Sequence, residues 1–152
     1  MAATQRRYAE AGGATAMLPT TDAAWVGAEL ARRFGVPRWS FSLTATDANR
    51  WALRLARLVT GRPKVLVFNY CYHGTVDEAF ITLGAGGAGS REGNVGAPVD
   101  PAAATRVVEF NDLDALDREL AFGDVACVLM EPALTNIGIV LPSPATWPGC
   151  GS

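Results

Sequence analysis

Lysine, histidine and cysteine are scarce in this 152-residue chain, and each scarcity excludes some chemistry. Lys64 is the single lysine beside twelve arginines, so a mechanism built on a Schiff-base lysine must use Lys64 or import one. His73 is the single histidine, which rules out a metal site with two imidazole ligands. Cys71, Cys127 and Cys150 lack metal-ligand spacing, and an odd count suits no disulfide framework. No apolar run approaches the ~20 residues that cross a bilayer. Neither charge sign dominates: thirteen basic residues face fifteen acidic ones, a net −2. That balance argues against a nucleic-acid partner and a polybasic membrane anchor. Arg6–Arg7 resembles a twin-arginine export signal, but Gly12, Gly13 and Thr15 follow where an apolar stretch should be. The expected location is therefore cytoplasmic.

With 49% apolar and 18% charged residues, the composition is globular and the length suits one domain. Residues 1–18 show no convincing periodicity. From there the spacing predicts a helix capped by Thr20 or Thr21, with Trp25, Val26, Leu30 and Phe34 in phase and Gly35 and Pro37 as stops. Trp39, Phe41 and Leu43 alternate with polar residues and predict a short half-buried strand. A second helix opens near Thr46–Asp47, carries Ala48, Trp51, Ala52, Leu55, Leu58 and Val59 on one face, and stops at Gly61–Arg62–Pro63. Val65–Phe68 and Val125–Met130 are continuous apolar runs, the mark of strands covered on both faces. Between them, Gly84–Pro98 should be irregular, Val107–Phe110 a short strand, and Asp112–Phe122 a helix capped by Asn111. Helices alternating with buried strands imply an α/β layer with a mainly parallel sheet.

Three segments could carry chemistry. In Phe41–Asn49 a strand, turn and helix start would offer unpaired amides to an anion, with small Ala45 allowing close approach and Thr44 or Thr46 donating a hydroxyl. The competing reading is that Thr46 or Asp47 simply caps the helix. Cys71-Tyr-His-Gly74 follows a buried strand, where ligands of parallel sheets gather. Tyr72 offers a flat face to a planar ring and His73 a titratable partner, unless Tyr72 packs and His73 lies on the surface. A Cys71–His73 nucleophile is disfavoured, because residues two apart on a strand end need not face each other. Glu131-Pro-Ala-Leu-Thr-Asn136 could present a carboxylate and an amide to the same crevice, or be a proline-stiffened turn. Gly84–Gly89 matches G-x-G-x-x-G literally, but the following Ser90–Pro98 opens no helix, as a dinucleotide site would require.

The order of the three segments resembles the class III pyridoxal-phosphate-dependent aminotransferases, most closely the glutamate-1-semialdehyde aminomutase-like branch. That family has Ser-Gly-Thr-Glu-Ala, Cys-Tyr-His-Gly and Glu-Pro-x-x-x-Asn. Here stand Thr44-Ala-Thr-Asp-Ala48, Cys71-Tyr-His-Gly74 and Glu131–Asn136, with Thr60-Gly-Arg-Pro-Lys64 between the first two. The resemblance runs from about Arg6 through Pro142. It implies part of the large domain of a fold-type I transferase: a mainly parallel sheet with flanking helices, incomplete, over residues 1–142. It also implies pyridoxal 5'-phosphate as cofactor, a homodimer, and an amino-acid or amino-aldehyde substrate. By the same resemblance Ala45 and Thr46 hold the cofactor phosphate, Tyr72 stacks on the ring with His73 beside it, and Asn136 lies near the ring's 3-hydroxyl. Thr44, Ala45 and Asp47 depart from the family's Ser, Gly and Glu, and an Ala methyl is tolerable there only on a backbone with negative φ. The family's pyridinium-pairing aspartate and Schiff-base lysine lie downstream of the third segment, so no catalytic residue is assigned. The resemblance thus implies an aminotransferase or aminomutase polypeptide inactive alone; the alternative is a non-catalytic fragment that binds phosphate ligands or pairs with a related subunit.

Residues 143–152 read as an aberrant tail. Ser143–Gly151 can be back-translated so that one restored G yields Glu-Pro-Gly-Tyr-Leu-Ala-Gly-Leu-Arg, which resembles the family's next turn and helix. The expectation is a one-base frameshift after Pro142.

Overall fold

The computed structural model describes residues 2–13, 19–96, 99–144 and 146. The chain divides into two compact units, Met1–Ser42 and Leu43–Ser152.

The first unit holds α1 (Ala2–Glu10) and α2 (Thr21–Phe34). Thr20 caps α2, its hydroxyl accepting from Ala23 N, and Gly35 closes it at φ 68°, returning its amide to Ala31 O. The helix over Ala2–Glu10 forms where the sequence shows no convincing periodicity. Its residues are mostly small or polar and none is buried, so no apolar stripe marks it in the sequence. Arg7 holds Asp22 through Nε and Nη2, at 3.1 and 2.6 Å. The expected strand at Trp39–Leu43 is absent. Residues 36–42 pair with no strand among the described residues; Trp39 instead donates Nε1 to Val36 O and tilts against Phe34. Alternation alone makes no strand where no ladder partner is available.

The second unit begins with α3 (Ala45–Thr60), then β1 (Lys64–Phe68), a 3₁₀ turn at Asp77–Ala79, β2 (Ile81–Gly84) and β3 (Gly87–Ser90). It continues with α4 (Pro101–Ala104), β4 (Thr105–Val108), α5 (Leu113–Leu120) and β5 (Val125–Leu129). The main sheet is parallel, in the order β4-β1-β5. The central strand β1 feeds both faces by alternation. Val65 and Val67 join Leu53 of α3, Ile81 and Val107 on one side; Leu66 and Phe68 join Val108 and Val125 on the other, under Ala115 and Leu116 of α5. Each fully buried Val, Leu or Phe contributes about 1.5–3 kcal/mol, so these four β1 side chains anchor the unit.

Three details differ from the sequence reading. The glycine-rich Gly84–Gly89 is an antiparallel hairpin with Gly84 opposite Gly87, rather than irregular chain, and it opens no helix. Two residues suffice to turn it, and glycine permits the positive φ (96°) at Gly87. Asp112, not Asn111, caps α5 by accepting from Ala115 N, and the helix stops at Leu120. Asn111 sits at φ 70° and its amide holds Leu141 O, Ser143 N and the Thr146 hydroxyl. The rest of the expected tail, residues 145 and 147–152, lies outside the described residues. The apolar stripe of α3 is continuous as predicted but faces outward, with Trp51 62% and Leu58 79% exposed. The helix instead docks through Leu53 and the half-buried Thr46, Asn49, Ala56 and Arg57.

The edge opposite the strands' carboxyl ends is closed by Arg106. Its guanidinium forks onto Asp124 (2.7 and 2.8 Å), reaches Glu119 of α5 at 2.6 Å, and lies 3.9 Å above the Phe122 ring. Arg106→Ala is expected to lower the unfolding free energy by about 2 kcal/mol, less than for a fully buried pair because both carboxylates are partly exposed. Urea unfolding followed by circular dichroism measures it.

Candidate functional site

In a parallel sheet every strand ends at the same edge, and here the three singled-out segments meet there. β1 leads into Asn69, which is buried. Its Nδ2 donates to Glu109 Oε1 (2.7 Å) and Leu83 O, and its Oδ1 accepts from Leu83 N and the Thr82 hydroxyl, so one side chain ties the ends of β1 and β4 to the hairpin. Tyr70 then takes φ 62°, a conformation costly without glycine, and turns the chain into Cys71–Gly74.

The first turn of α3 abuts this loop. The Thr46 hydroxyl accepts from Thr75 N at 3.0 Å, and Asn49 Nδ2 donates to His73 O at 2.9 Å. Gly74 lies between, at φ 79°; a Cβ there would meet the Thr46 side chain and backbone well inside van der Waals contact. Thr44 caps the helix instead of the expected Thr46 or Asp47, accepting from Asp47 N while donating to Asp47 Oδ2 at 2.8 Å. Among the described residues the amides of Ala45 and Thr46 have no protein acceptor, and Ala45, inside a right-handed helix, keeps a negative φ. The third segment reaches the same loop through Glu131. Its Oε1 accepts from Tyr72 N (2.8 Å), and its Oε2 from Thr135 N (3.1 Å) and Thr135 Oγ1 (2.8 Å). Asn136 follows on a tight exposed turn bridged to Gly138.

Tyr72 and His73 divide as their neighbours dictate. Tyr72 is 55% exposed, its ring free on the surface; His73 is 7% exposed, and its Nε2 finds no protein partner. Burial holds the His73 pKa below its ordinary 6.5, Glu131 opposing and Arg91 assisting, so the imidazole is neutral near pH 7. Burial also pushes the Cys71 thiol up to about 11, which leaves it protonated and unfit as a nucleophile. Burial raises the Glu131 carboxyl, but hydrogen bonds from Tyr72 and Thr135 outweigh it and keep the group ionised. Arg91 donates to Cys71 O at 3.0 Å and fixes the loop from below. Lys64 is remote from all of this: it starts β1, and its Nζ faces Ala102 O at the opposite edge of the sheet, five residues (about 13–16 Å) away. Asn49 and Arg91 escaped sequence reasoning. Asn49 sits one turn after Thr46 and could have been placed on the same face; nothing near Arg91 in the chain points to Cys71.

The strand ends of the parallel sheet thus bring a free helix tip, an exposed tyrosine and a buried histidine together. No family model matches the chain. It is 34% identical over 143 residues to a glutamate-1-semialdehyde 2,1-aminomutase of Neisseria meningitidis, covering 91% of this chain and 34% of the relative. A glutamate-1-semialdehyde aminomutase from Pseudomonas aeruginosa superimposes with a TM-score of 0.85 at 53% identity, over 95% of this chain and 31% of that one; a variant of it was solved in complex with PMP. An omega-transaminase from Sphaerobacter thermophilus superimposes with a TM-score of 0.79 at 28% identity, over 95% and 35%. The chain belongs to the class III pyridoxal-phosphate-dependent aminotransferases, in their glutamate-1-semialdehyde aminomutase-like branch. It spans about a quarter to a third of the length of the relatives it matches.

Two outcomes test the geometry. Gly74→Ala should cost about 2 kcal/mol or more, since it meets both a positive φ and the Thr46 contact; denaturant melts read it. His73 sets a pH dependence: the unfolded imidazole, near its ordinary 6.5, takes a proton that the buried one resists. Stability should be full above that value and fall as pH drops through it, and His73→Gln should flatten this part of the profile.

Proposed function

We propose that residues 43–136 form the phosphate- and ring-binding side of a pyridoxal-phosphate site. The observation that supports it most is the free tip of α3, with two unpaired amides, latched by Thr46 to the loop that carries Tyr72. Ala45 and Thr46 would hold the phosphate: the amides donate, and the Thr46 hydroxyl, having accepted from Thr75 N, keeps its proton for an acceptor. Tyr72 offers its exposed ring face, and Asn136 its exposed amide to the 3-hydroxyl. Neutral, half-orphaned His73 lies beneath with an unused nitrogen. The donor chemistry of these residues fits the group. When bound, the cofactor supplies an electron sink for amino-group transfer or an intramolecular amino shift. The substrate class is an amino acid or amino-aldehyde, the assembly a homodimer and the location cytoplasmic.

Lys64 lies too far from Thr46 and Tyr72 to make the covalent link, so these 152 residues would hold the cofactor reversibly and not turn over alone. Residues 1–142 are then part of the large domain. A second reading, a non-catalytic fragment that pairs with a related subunit, is supported by the exposed α3 stripe of Trp51, Leu55, Leu58 and Val59.

Fluorescence titration with pyridoxamine 5'-phosphate tests the first reading. The wild-type chain should bind it, Thr46→Ser should match the wild type, and Thr46→Val should weaken binding about tenfold. Borohydride reduction with pyridoxal phosphate should leave no pyridoxyl label at this site. Absence of pyridoxamine phosphate binding, with the chain sedimenting as a dimer, would leave only the second reading.

A further inference from the structure

One carboxylate joins the two loops that carry Tyr72 and Asn136. Glu131 follows β5 directly after Met130, and its two oxygens are used separately. Oε1 takes the amide of Tyr72, 59 residues away in the chain, and Oε2 takes the amide and hydroxyl of Thr135, the residue before Asn136. Among the described residues no other hydrogen bond joins 70–75 to 131–136, while the Tyr72 and Asn136 side chains are both exposed. The phosphate-facing amides of Ala45 and Thr46 hang instead on the Thr46–Thr75 and Asn49–His73 bonds, which do not involve Glu131.

The groups facing Glu131 leave these hydrogen bonds as its main support. His73 is neutral through burial, Cys71 is a protonated thiol, and the Arg91 guanidinium is occupied by Cys71 O and Ile81 O. No ion pair involves Glu131 among the described residues, so its charge rests on three donors, and charge-assisted bonds of this kind are the strong ones.

Resting on the site reading above, we propose that Glu131 is a positioning residue: it sets the separation of the Tyr72 face from the Asn136 amide, so that recognition of a pyridine ring depends on it and recognition of the phosphate does not. A role in general stability would weaken both; a positioning role splits them.

The experiment uses the full chain and two probes, pyridoxamine 5'-phosphate by fluorescence and inorganic phosphate by calorimetry. Glu131→Gln, which keeps the shape but loses one acceptor and the charge, should weaken pyridoxamine phosphate about tenfold and leave phosphate within about twofold. Equal pyridoxamine phosphate affinity in Glu131→Gln overturns the inference alone, as does a parallel loss of both probes. A wild-type chain that binds phosphate but not pyridoxamine phosphate overturns the site reading and this inference with it. A second measurement needs no variant. In the wild type the Tyr72 and Thr135 amide protons should shift together on acidification, with one midpoint below the ordinary 4.5 of a glutamate; amides that move independently overturn the inference.

Discussion

The approach of the Thr46 hydroxyl to the loop at Gly74 governs the rest of the site. The 3.0 Å bond to Thr75 N exists because position 74 has no Cβ. A side chain there would push α3 away from the loop, and Asn49 would lose His73 O in the same movement. The latch is worth having only because both partners are rigid. α3 is capped at Thr44 and Gly61, and the loop leaves a strand whose side chains are almost wholly buried on alternating faces. A helix tip of this kind presents amides in a fixed direction at no further ordering cost, which is the physical basis of anion binding at such places.

Strand polarity decides what the chain can and cannot do. Because β1, β4 and β5 run parallel, residues after the strands converge and residues before them converge at the opposite edge. Tyr72, His73 and Glu131 belong to the first group, Lys64 and Asp124 to the second. Lys64 is occupied with Ala102 O and Arg106 with Asp124, so the far edge is a structural seam. Separation by a strand's length turns the lysine count from a composition statistic into a geometric statement: the single lysine stands at the edge away from Tyr72, His73 and Glu131.

Much of this was legible. The caps at Thr20, Gly35 and Gly61 act through side-chain and backbone chemistry within four residues, so the sequence shows them directly. The buried run Val65–Phe68 reads correctly as a strand covered on both sides, and the three motifs meet as their order implied. The run Val125–Met130 does form a strand, over Val125–Leu129, but at the edge of the described sheet only its Val125 is buried and Val128 is 39% exposed. What failed depended on distant partners. Residues 39–43 alternate like a strand but have no ladder to join. In the β2–β3 hairpin only Ile81 and Leu83 of β2 alternate with a polar residue; β3, Gly87–Ser90, carries no apolar alternation to betray it. The α3 stripe was read correctly as a pattern, yet the helix buries its other side, because Thr46, Asn49 and Arg57 make the specific bonds and Trp51 and Leu58 make none.

Asp47 shows how a departure from the family pattern is accommodated. A carboxylate in the first turn of α3 suits the helix dipole but would repel an anion at the tip. Its charge, however, is drawn sideways: Oδ2 accepts from the Thr44 hydroxyl at 2.8 Å and Oδ1 faces the Arg50 guanidinium at 3.8 Å. Asp is short enough to complete this exchange with Thr44 while the Ala45 and Thr46 amides stay open. Thr44 and Asp47 therefore depart from the family's residues as a pair, each satisfying the other, and the substitution at one position is intelligible only through the other. The same holds for Ala45: its methyl is harmless because capping by Thr44 starts the helix one residue earlier and keeps position 45 right-handed.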